Sequence, residues 1–336
     1  MESWMEKAGN IIKNGGLVAF PTETVYGLGG DALNPQSSQK IYAAKGRPSD
    51  NPLIVHISKF EDLAPIVSEI PSCVYALRDA FWPGPLTIIF KKSDLVPYET
   101  TGGLDTVAVR MPVDPIALQF IAASGGYVAA PSANLSGRPS PTKAQYVIQD
   151  LQGRVDMILD GGPTEIGLES TIVDVTGDMP VILRPGYITK EMLEQIIGKV
   201  DVDPTILDVA CKERPKAPGM RYRHYAPKGD LTIIKGTPEQ VISFINEKTT
   251  ENKEQKEVVG VIATDETKDR YWADVVKSVG ERQDEASIAH RLYTILREFD
   301  DEGITRIYSE SFEEGSMGQA IMNRLLKAAG HHYISL

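Results

Sequence analysis

The stretch NPQSSQKIYAAKGRPSDNPLIVHI, residues 34–57, predicts a helix, a turn and a strand in succession. Asn34 is a good N-cap, and Pro35 suits the first helical position, where its missing N–H costs nothing. Gly46 can take the left-handed conformation that often ends a helix. The two prolines after it indicate a turn, and the β-branched run at 53–57 is typical of a strand. Helices and strands therefore alternate in this part of the chain.

Short β-branched runs continue on both sides of this stretch, separated by Gly and Pro turns. Such runs between breakers predict strands. They lie at 17–20, 53–57, 86–90, 106–111, 127–130, 170–175 and 181–184. A Gly-rich turn is expected at GLGG, residues 27–30, after the first of these strands. The sequence thus predicts a first domain of short strands with a few helices between them.

The last hundred residues have a different rhythm, in which apolar runs and helix-forming segments alternate. Strands are predicted at 231–235, 258–264 and 304–309, and helices from residue 238, over about 287–299 and around 317–329. This alternation is typical of a small parallel α/β sheet.

A polar segment rich in Pro and Gly, KERPKAPGMRYRHYAPKG at 212–229, separates the two regions. It is too polar to bury itself and has the composition of a linker or lid. We therefore predict a first domain over 1–204, a basic linker or lid over 205–229 and a second domain over 230–336.

Charge is divided unevenly along a chain whose formal charge is −11. Residues 1–204 carry 16 basic and 24 acidic side chains, residues 229–336 carry 13 and 20, and residues 205–228 carry 6 and 2. Binding to nucleic acid rests on Lys and Arg that neutralise phosphates, so two acidic domains are poorly suited to it. Any bound anion is expected to be small or held locally.

Targeting and metal-binding signals are missing from the sequence. Nothing resembles the basic start and apolar core of a signal peptide, and no stretch approaches the roughly 20 apolar residues of a membrane span. We expect a cytoplasmic protein that does not bind membranes. Cys73 and Cys211 stand far apart without CxxC or Cys/His spacing, so neither a disulfide nor a zinc site is indicated.

Motifs for nucleophilic, metal or dinucleotide chemistry are also missing, since the sequence has no GxSxG, HExxH, GxGxxG or GxxxxGK[ST]. What remains is a set of basic and hydroxyl-bearing residues in loops, above all APSANLSGRPSPT at 130–142. Hydroxyls, an amide and backbone N–H groups in such a loop can hold phosphate oxygens, although a plain turn has the same composition.

One predicted strand carries an arginine among apolar residues, and the alternation of side chains along the strand shows which residues share its face. In TVAVRM, residues 106–111, Thr106, Ala108 and Arg110 share one face. A buried arginine needs an anion, which is either a carboxylate of its own domain or a ligand. His56, in the strand LIVHI, poses the same choice between a structural hydrogen bond and a ligand contact.

Six motifs in this order resemble the YrdC-like family: FPTETVYGLG, KGRPSDNPLIVH, PGPLTIIF, VAVRMP, APSANLSGRPSPT and LESTIVD. The further APGMRYRHYAP and the C-terminal α/β region resemble its two-domain members, the threonylcarbamoyl-AMP synthases. The resemblance runs over nearly the whole chain. It implies an α/β fold with a YrdC-like twisted mixed β-sheet domain that encloses a large open cavity, followed by a small Rossmann-like parallel α/β domain.

The resemblance also implies an activity. Members of this family are nucleotidyltransferases that make threonylcarbamoyl-AMP and pyrophosphate from L-threonine, bicarbonate and ATP. A separate transferase complex then passes the threonylcarbamoyl group to the adenosine beside the anticodon of certain tRNAs. The expected partners are therefore ATP, L-threonine, bicarbonate and that downstream complex, and no stable nucleic-acid binding is expected. Mg²⁺ is expected to arrive on ATP, since no carboxylate cage is visible.

Single positions acquire roles from the same resemblance. Catalytic stabilisation of the leaving pyrophosphate falls to Lys45 and Arg47. The implied ATP contacts are Lys45, Arg47, Asn51, Thr106, Ser132, Asn134, Ser140, Arg184 and, in the linker, Tyr225. The implied L-threonine contacts are Thr24, His56, Arg110, the backbone of Ala130, and Ser170. Arg110 would hold the carboxylate of the amino acid with two hydrogen bonds, and the linker would close over the site as a lid.

Two alternatives stay open on sequence. A non-enzymatic RNA-binding or ribosome-assembly factor would show tight, salt-sensitive tRNA binding without ATP, which the acidic domains disfavour. A carbamoyl-transfer maturation factor contains a similar domain together with zinc-finger modules, for which two cysteines are too few. The C-terminal domain could serve as lid support, dimer contact, regulatory site or docking surface.

Overall fold

The computed structural model describes residues 3–206, 224–312 and 315–336, and the chain divides into two units. The first comprises 1–136, 140–165 and 169–222, and the second comprises 137–139, 166–168 and 223–336. The predicted linker or lid at 205–229 falls largely on 207–223, outside the described residues. Among the described residues, no helix combines the length and the apolarity that crossing a bilayer requires.

Ten strands within residues 3–206 form one mixed sheet. They are β1 (Val18–Phe20), β2 (Gly27–Asp31), β3 (Ile54–His56), β4 (Leu86–Lys91), β5 (Thr106–Arg110), β6 (Val128–Ala129), β7 (Met157–Ile158), β8 (Thr171–Asp174), β9 (Val181–Arg184) and β10 (Asp201–Val202). Their order across the sheet is β10-β9-β8-β4-β5-β3-β6-β2-β1-β7. The helices of the same residues are α1 (Trp4–Lys13), α2 (Pro35–Lys45), α3 (Cys73–Phe81), α4 (Pro115–Ala123), α5 (Ala144–Leu151) and α6 (Lys190–Ile197). The predicted mixed-sheet domain is confirmed, while the open cavity implied with it stays a prediction.

Helix α2 begins and ends where its capping residues predict. The side-chain oxygen of Asn34 accepts a hydrogen bond from the backbone N–H of Gln36 at 3.0 Å. Gly46 has a φ of 62°, in the left-handed region that favours glycine. These two caps fix the helix so that Lys45 is its last residue.

The stretch GLGG is a strand, β2, and the prediction of a Gly-rich turn there is wrong. A Cβ on Gly29 would lie 2.9 Å from a methyl of Val128, and one on Gly30 would lie 3.0 Å from Ile41 of α2. The glycines therefore allow close packing of a strand against its neighbours instead of a change in chain direction.

Strand β5 shows why the sheet has two different faces. Val107 and Val109 pack in the main apolar core of the first unit, whereas Ala108 faces a smaller cluster with Ile54 and Ile172. Each buried valine stabilises the fold by roughly 1.5–3 kcal/mol relative to exposure. A shift of register by one residue would remove Val107 and Val109 from the core and point Thr106 and Arg110 into it instead.

The second unit contains a parallel sheet, as predicted. Its strands in the described residues are β11 (Asp230–Lys235), β12 (Val259–Ala263), β13 (Val275–Ser278), β14 (Arg306–Glu310) and β15 (Tyr333–Ser335), in the order β13-β12-β14-β11-β15. Every neighbouring pair is parallel. The helices are α7 (Pro238–Glu254), α8 (Glu285–Asp301) and α9 (Gly318–Ala328). The two edge strands, β13 and β15, were missed because they are short and only partly buried.

Helix α8 also fixes one loop segment that belongs to the second unit. Arg297 is buried, and its Nε donates to the carbonyl of Pro139 at 3.0 Å. The carboxylate of Asp300 accepts from the backbone N–H of Lys228 at 2.6 Å and from Arg138 at 3.4 Å. Contacts of this kind explain why residues 137–139 group with the C-terminal part of the chain.

Candidate functional site

One face of the first unit's sheet carries four polar side chains across neighbouring strands. These are His56, Arg110, Thr87 and Arg184, here called the polar row. His56 on β3 pairs with Arg110 on β5, and Arg110 pairs with Thr87 on β4. Thr87 pairs in turn with Ile172 on β8, which faces Arg184 on β9. Residues that pair directly point to the same face of a sheet. The polar row therefore brings predicted threonine contacts and a predicted ATP contact onto one surface.

Arg110 is buried and has three described acceptors. Its Nη2 donates to Glu23 Oε1 at 2.6 Å, and its Nη1 donates to the hydroxyl of Thr24 at 2.8 Å. Its Nε donates to the carbonyl of Gly84 at 3.4 Å. Of the two alternatives that the sequence left open, the structure thus shows a carboxylate of the same domain. Sequence analysis did not single out Glu23, although an acid between two threonines directly after a strand was a usable signal.

One carboxylate oxygen of Glu23 is available to accept a hydrogen bond from a ligand. The residue is 4 % exposed, and its Oε2 has no hydrogen-bond partner among the described residues. Leaving a buried acceptor without a donor is costly, so a ligand N–H or O–H fits this position. Arg110 and Glu23 together present a cation and an anion side by side, which suits a zwitterion.

The two threonines beside Glu23 have different surroundings. The hydroxyl of Thr24 accepts from Arg110, whereas the hydroxyl of Thr22 donates to the carbonyl of Val25 at 2.6 Å. The hydroxyl of Thr22 is therefore engaged in a hydrogen bond within the turn that contains it. Thr24, which was predicted to contact L-threonine, is the threonine whose hydroxyl contacts Arg110.

His56 is a neutral side chain in this site. Burial, and then the charge of Arg110, lower the pKa of His56 to about 3. Its Nδ1 lies 3.1 Å from the carbonyl of Ile54, and its ring meets Phe20 edge-on with the centroids 6.0 Å apart. A neutral ring that donates from Nδ1 to this carbonyl keeps Nε2 as an acceptor. His56 can thus offer a ligand a hydrogen bond but not a charge.

Ser170 joins Thr87 and Arg184, two members of the polar row. Its hydroxyl lies 2.7 Å from that of Thr87 and accepts from Arg184 Nη2 at 3.1 Å. Arg184 Nε also donates to the backbone carbonyl of Ser170 at 3.0 Å. A predicted threonine contact and a predicted ATP contact are therefore in direct contact with each other.

Lys45, Ser132 and Asn134 are brought together at the start of the 130–142 loop. Lys45 is 2 % exposed, and its Nζ donates to the carbonyl of Asn134 at 2.5 Å and to that of Ser132. The hydroxyl of Ser132 donates to Asn134 Oδ1 at 2.5 Å. These contacts hold an ammonium group at the loop, where phosphate oxygens could share it.

Arg47 and Asn51 form a turn of their own. Arg47 donates from Nε to the carbonyl of Asn51 at 3.3 Å and from Nη2 to that of Pro52 at 3.1 Å. Asn51 is 1 % exposed, and its Oδ1 has no hydrogen-bond partner among the described residues. Arg47 and Asn51 thus lie in the turn that directly follows Lys45, the last residue of α2.

Ser140 is paired with a second buried glutamate. Its hydroxyl donates to Glu169 Oε1 at 2.5 Å, and both side chains are buried. Sequence analysis missed Glu169, whose only signal is its place directly before Ser170. At Ala130 the backbone N–H donates to the carbonyl of Ile54 at 2.9 Å, so a ligand contact there would fall to the carbonyl of Ala130.

Thr106 and Tyr225 are two further predicted ATP contacts. Thr106 is half-buried at the first position of β5, whereas Arg110 is at the last. Tyr225 belongs to the second unit, where its ring packs on Tyr293 at 5.2 Å between centroids. Its φ of 63° is unusual for a residue other than glycine and is often found at functional positions. The ATP contacts predicted for both residues stay predictions.

The described residues offer no protein cage for a metal ion. No group of three or more His, Cys, Asp or Glu side chains there could hold a metal ion. Cys73 is half-buried, and its burial raises the pKa of the thiol, which disfavours the reactive thiolate. Cys211 lies outside the described residues.

A mixed sheet with buried cations and hydroxyls on one face, followed by a parallel α/β unit, defines a two-domain ligand-binding protein of the YrdC-like class. Residues 10–186 match the family described as "Telomere recombination", which groups Sua5, YciO and YrdC proteins. Residues 188–330 match "Threonylcarbamoyl-AMP synthase, C-terminal domain". The chain belongs to this family, in its two-domain form.

Relatives match over nearly the full length. The chain is 49% identical to the threonylcarbamoyl-AMP synthase of Bacillus subtilis, over 98% of this chain and 93% of that protein. It is 46% identical to that of Pyrococcus abyssi, over 100% and 97%. The structure of Pyrococcus abyssi Sua5 complexed with L-threonine matches with a TM-score of 0.94, at 46% identity, over 99% of this chain and 96% of that one.

Proposed function

We propose that the chain makes threonylcarbamoyl-AMP and pyrophosphate from L-threonine, bicarbonate and MgATP. The observation that carries the proposal is the buried pair of Arg110 and Glu23, which offers complementary charges to a zwitterionic amino acid. The Pyrococcus abyssi relative that was crystallised with L-threonine is similar over 99% of this chain, which supports an amino-acid site in the same fold. The other members of the polar row supply the hydrogen bonds that such a ligand needs.

The amino acid is held at both of its charged groups. Arg110 binds the carboxylate of L-threonine, since a guanidinium matches a carboxylate with paired hydrogen bonds. Glu23 Oε2 accepts from the amine, which gives this buried oxygen the donor it lacks within the described residues. His56 Nε2 is an acceptor for the threonine hydroxyl. Thr24 and Ser170, with the carbonyl of Ala130, complete the set of contacts.

The reaction needs two bond-forming steps and no protein nucleophile. Bicarbonate takes a proton from the ammonium group of L-threonine and loses water to give CO₂. The neutral amine then forms an N–C bond to CO₂ as one C–O π bond opens, and the proton displaced from nitrogen passes to water. An oxygen of this carbamate attacks the α-phosphorus of ATP. The bond between that phosphorus and the oxygen bridging to the β-phosphate breaks, and pyrophosphate leaves. Positioning and electrostatic stabilisation therefore account for the catalysis.

Cations near the phosphates stabilise the departing charge. Lys45 lies within the Ser132 and Asn134 cluster, and this group holds the triphosphate together with Arg47, Asn51 and Ser140. Arg184 links the nucleotide to the amino acid through Ser170. Thr106 and Tyr225 are further nucleotide contacts in this proposal. Mg²⁺ enters as part of the substrate MgATP.

Exclusion of water protects the carbamate and the mixed anhydride, which are both labile. The members of the polar row are buried, which suits such chemistry. In this proposal the segment 205–229 acts as a lid, and the product passes in the cytoplasm to a transferase complex that modifies tRNA.

The direct test is an omission assay with purified protein. Pyrophosphate release should require L-threonine, bicarbonate and ATP together and should not require tRNA. Mass spectrometry should find threonylcarbamoyl-AMP in the complete reaction. Release that continues at the same rate without L-threonine would contradict the proposal. Tight tRNA binding without ATP in a filter assay, and no pyrophosphate release, would favour the RNA-binding alternative.

A further inference from the structure

A cavity of about 170 Å³ lies in the second unit, and none of its lining residues belongs to the polar row. It opens at the carboxyl ends of β11 and β14, and the first turns of α7 and α8 contribute to its walls. All of its lining residues belong to the second unit. The proposed reaction gives this cavity no role.

The position of the cavity follows from the topology of the sheet. From β11 the chain crosses through α7 to β12, on one side, and from β14 it crosses through α9 to β15, on the other side. Right-handed crossovers in opposite directions put α7 and α9 on opposite faces of the sheet. The crevice between two such neighbouring strands is where open parallel sheets bind ligands.

One side of the cavity carries two basic side chains together with the buried carboxylate of Glu310. Arg282 donates from Nη1 to the carbonyl of Ser311 at 3.1 Å and from Nη2 to the buried carboxylate of Glu310. A guanidinium carries more N–H donors than these two bonds use. Lys235 adds a second cation, and the N-terminus of α7 adds the partial positive charge of a helix dipole. This side of the cavity suits a carboxylate.

An acceptor for a cation lies in the first turn of α8. Glu285 Oε2 accepts from the backbone N–H of Met317 at 3.0 Å. Glu285 Oε1 is buried and has no hydrogen-bond partner among the described residues. A buried carboxylate oxygen of this kind favours a charged donor such as an ammonium group.

Apolar walls and size limit what the cavity can hold. Ile234, Val241, Ile288 and Ile321 contribute aliphatic surface. A cavity of about 170 Å³ has room for a small organic ligand, and a free amino acid with a short side chain matches it.

We propose that this cavity binds an α-amino acid with a short aliphatic side chain. The carboxylate lies at Arg282 and the N-terminus of α7, the ammonium group donates to Glu285 Oε1, and the side chain packs between Ile288 and Ile321. The site is separate from the proposed threonine site, and its test does not depend on catalysis.

Calorimetric titration of the full-length protein with L-valine tests the proposal. One equivalent of L-valine should bind saturably, and isovalerate, which lacks only the amine, should bind at least about tenfold more weakly. Glu285→Gln should weaken binding by about tenfold or more, because it removes the charge from the hydrogen bond. Ile321→Trp should abolish binding by filling the cavity. Because a tryptophan at a buried position can disturb folding, circular dichroism accompanies each variant, and Glu285→Gln carries the test if Ile321→Trp does not fold.

Two controls separate this site from others. Glu239→Gln changes a glutamate in the first turn of α7 that pairs with Arg270 on the surface, and it should leave L-valine binding unchanged. Arg110→Ala, which leaves Glu23 as a buried charge, should also leave it unchanged once circular dichroism shows that the variant is folded. No saturable L-valine binding at millimolar concentration would overturn the proposal, as would loss of binding in Arg110→Ala or binding that Glu285→Gln leaves intact. The omission assay for pyrophosphate is scored separately, so either proposal can fail alone.

Discussion

Arg110 and Glu23 form a buried ion pair in which Nη2 and Oε1 are 2.6 Å apart and the side chains are only 5 % and 3 % exposed. Removing two charges from water is costly, and good geometry together with further hydrogen bonds is needed to offset the cost. Thr24 and Gly84 supply such bonds to Arg110. The pair thus contributes to the fold as well as to the proposed amino-acid site, and these two contributions can be measured separately.

Glu23→Ala should lower the free energy of unfolding by about 3–5 kcal/mol, because it leaves Arg110 as an uncompensated buried charge. Urea unfolding at pH 7 measures this. Glu69→Ala is the control, since Glu69 pairs with Lys91 at 2.7 Å on the surface, and its loss should be below about 1 kcal/mol. The double variant Glu23→Ala/Arg110→Met should recover much of the loss. Equal losses of unfolding free energy in Glu23→Ala and Glu69→Ala would show that the charge of Arg110 is not a buried, unscreened one.

Arg110→Lys should raise the KM for L-threonine by about tenfold or more, because lysine keeps the charge but loses the paired geometry. The KM for ATP should change little. Steady-state pyrophosphate release at varied L-threonine and at varied ATP gives both constants. Arg78→Lys, at a half-buried helical position beside Asp79, is the control and should change neither. A similar rise in both constants would argue against a carboxylate contact.

Local signals predicted those parts of the fold that neighbouring residues determine. Asn34 and Gly46 fix the ends of α2 through contacts within a few residues, so the sequence alone was sufficient. The pairing of Arg110 with Glu23 joins residues 87 positions apart, and only the assembled sheet brings them together. The strand character of GLGG depends on its pairing with β1 and with Ala129 of β6, and no local pattern connects Ala129 to it.

The candidate site was predicted unevenly for a similar reason. The resemblance to the YrdC-like family predicted Ser170 and Arg184 as ligand contacts. Their direct contact with each other depends on the pairing of β8 with β9, whose register shifts between Ile172 and Val173. Glu23 and Glu169 were missed because an acid in a polar loop is ordinarily exposed. Their burial becomes visible only with their partners in place.

His56 should make the stability depend on pH between about 3 and 6.5. Its pKa is about 3 in the folded protein and about 6.5 when unfolded, so the unfolded state binds the extra proton in this window. Stability should therefore rise with pH, by about 1.4 kcal/mol from pH 5.5 to pH 7.5, and be complete above the unfolded pKa. Urea unfolding at the two pH values measures it. His56→Gln should remove this contribution, while His332→Gln, at an exposed position, should keep it. An unchanged pH dependence in His56→Gln would show that His56 is not the group responsible.

Lys45→Met should lower kcat for pyrophosphate release by about a hundredfold or more, because one preorganised cation is lost from the developing charge on the leaving group. Methionine keeps the length of the side chain, so packing at the end of α2 changes little. Lys40→Met is the matched control, since Lys40 lies on the same helix and its Nζ donates to the carbonyl of Gly15 at 2.6 Å. Rapid-quench measurement of pyrophosphate under saturating substrates gives the rate for both variants. The KM for L-threonine should stay nearly constant in Lys45→Met, since the lysine lies with Ser132 and Asn134 and not among the described contacts of Arg110. Equal losses in the two lysine variants would instead indicate a structural role for the amine at the end of the helix.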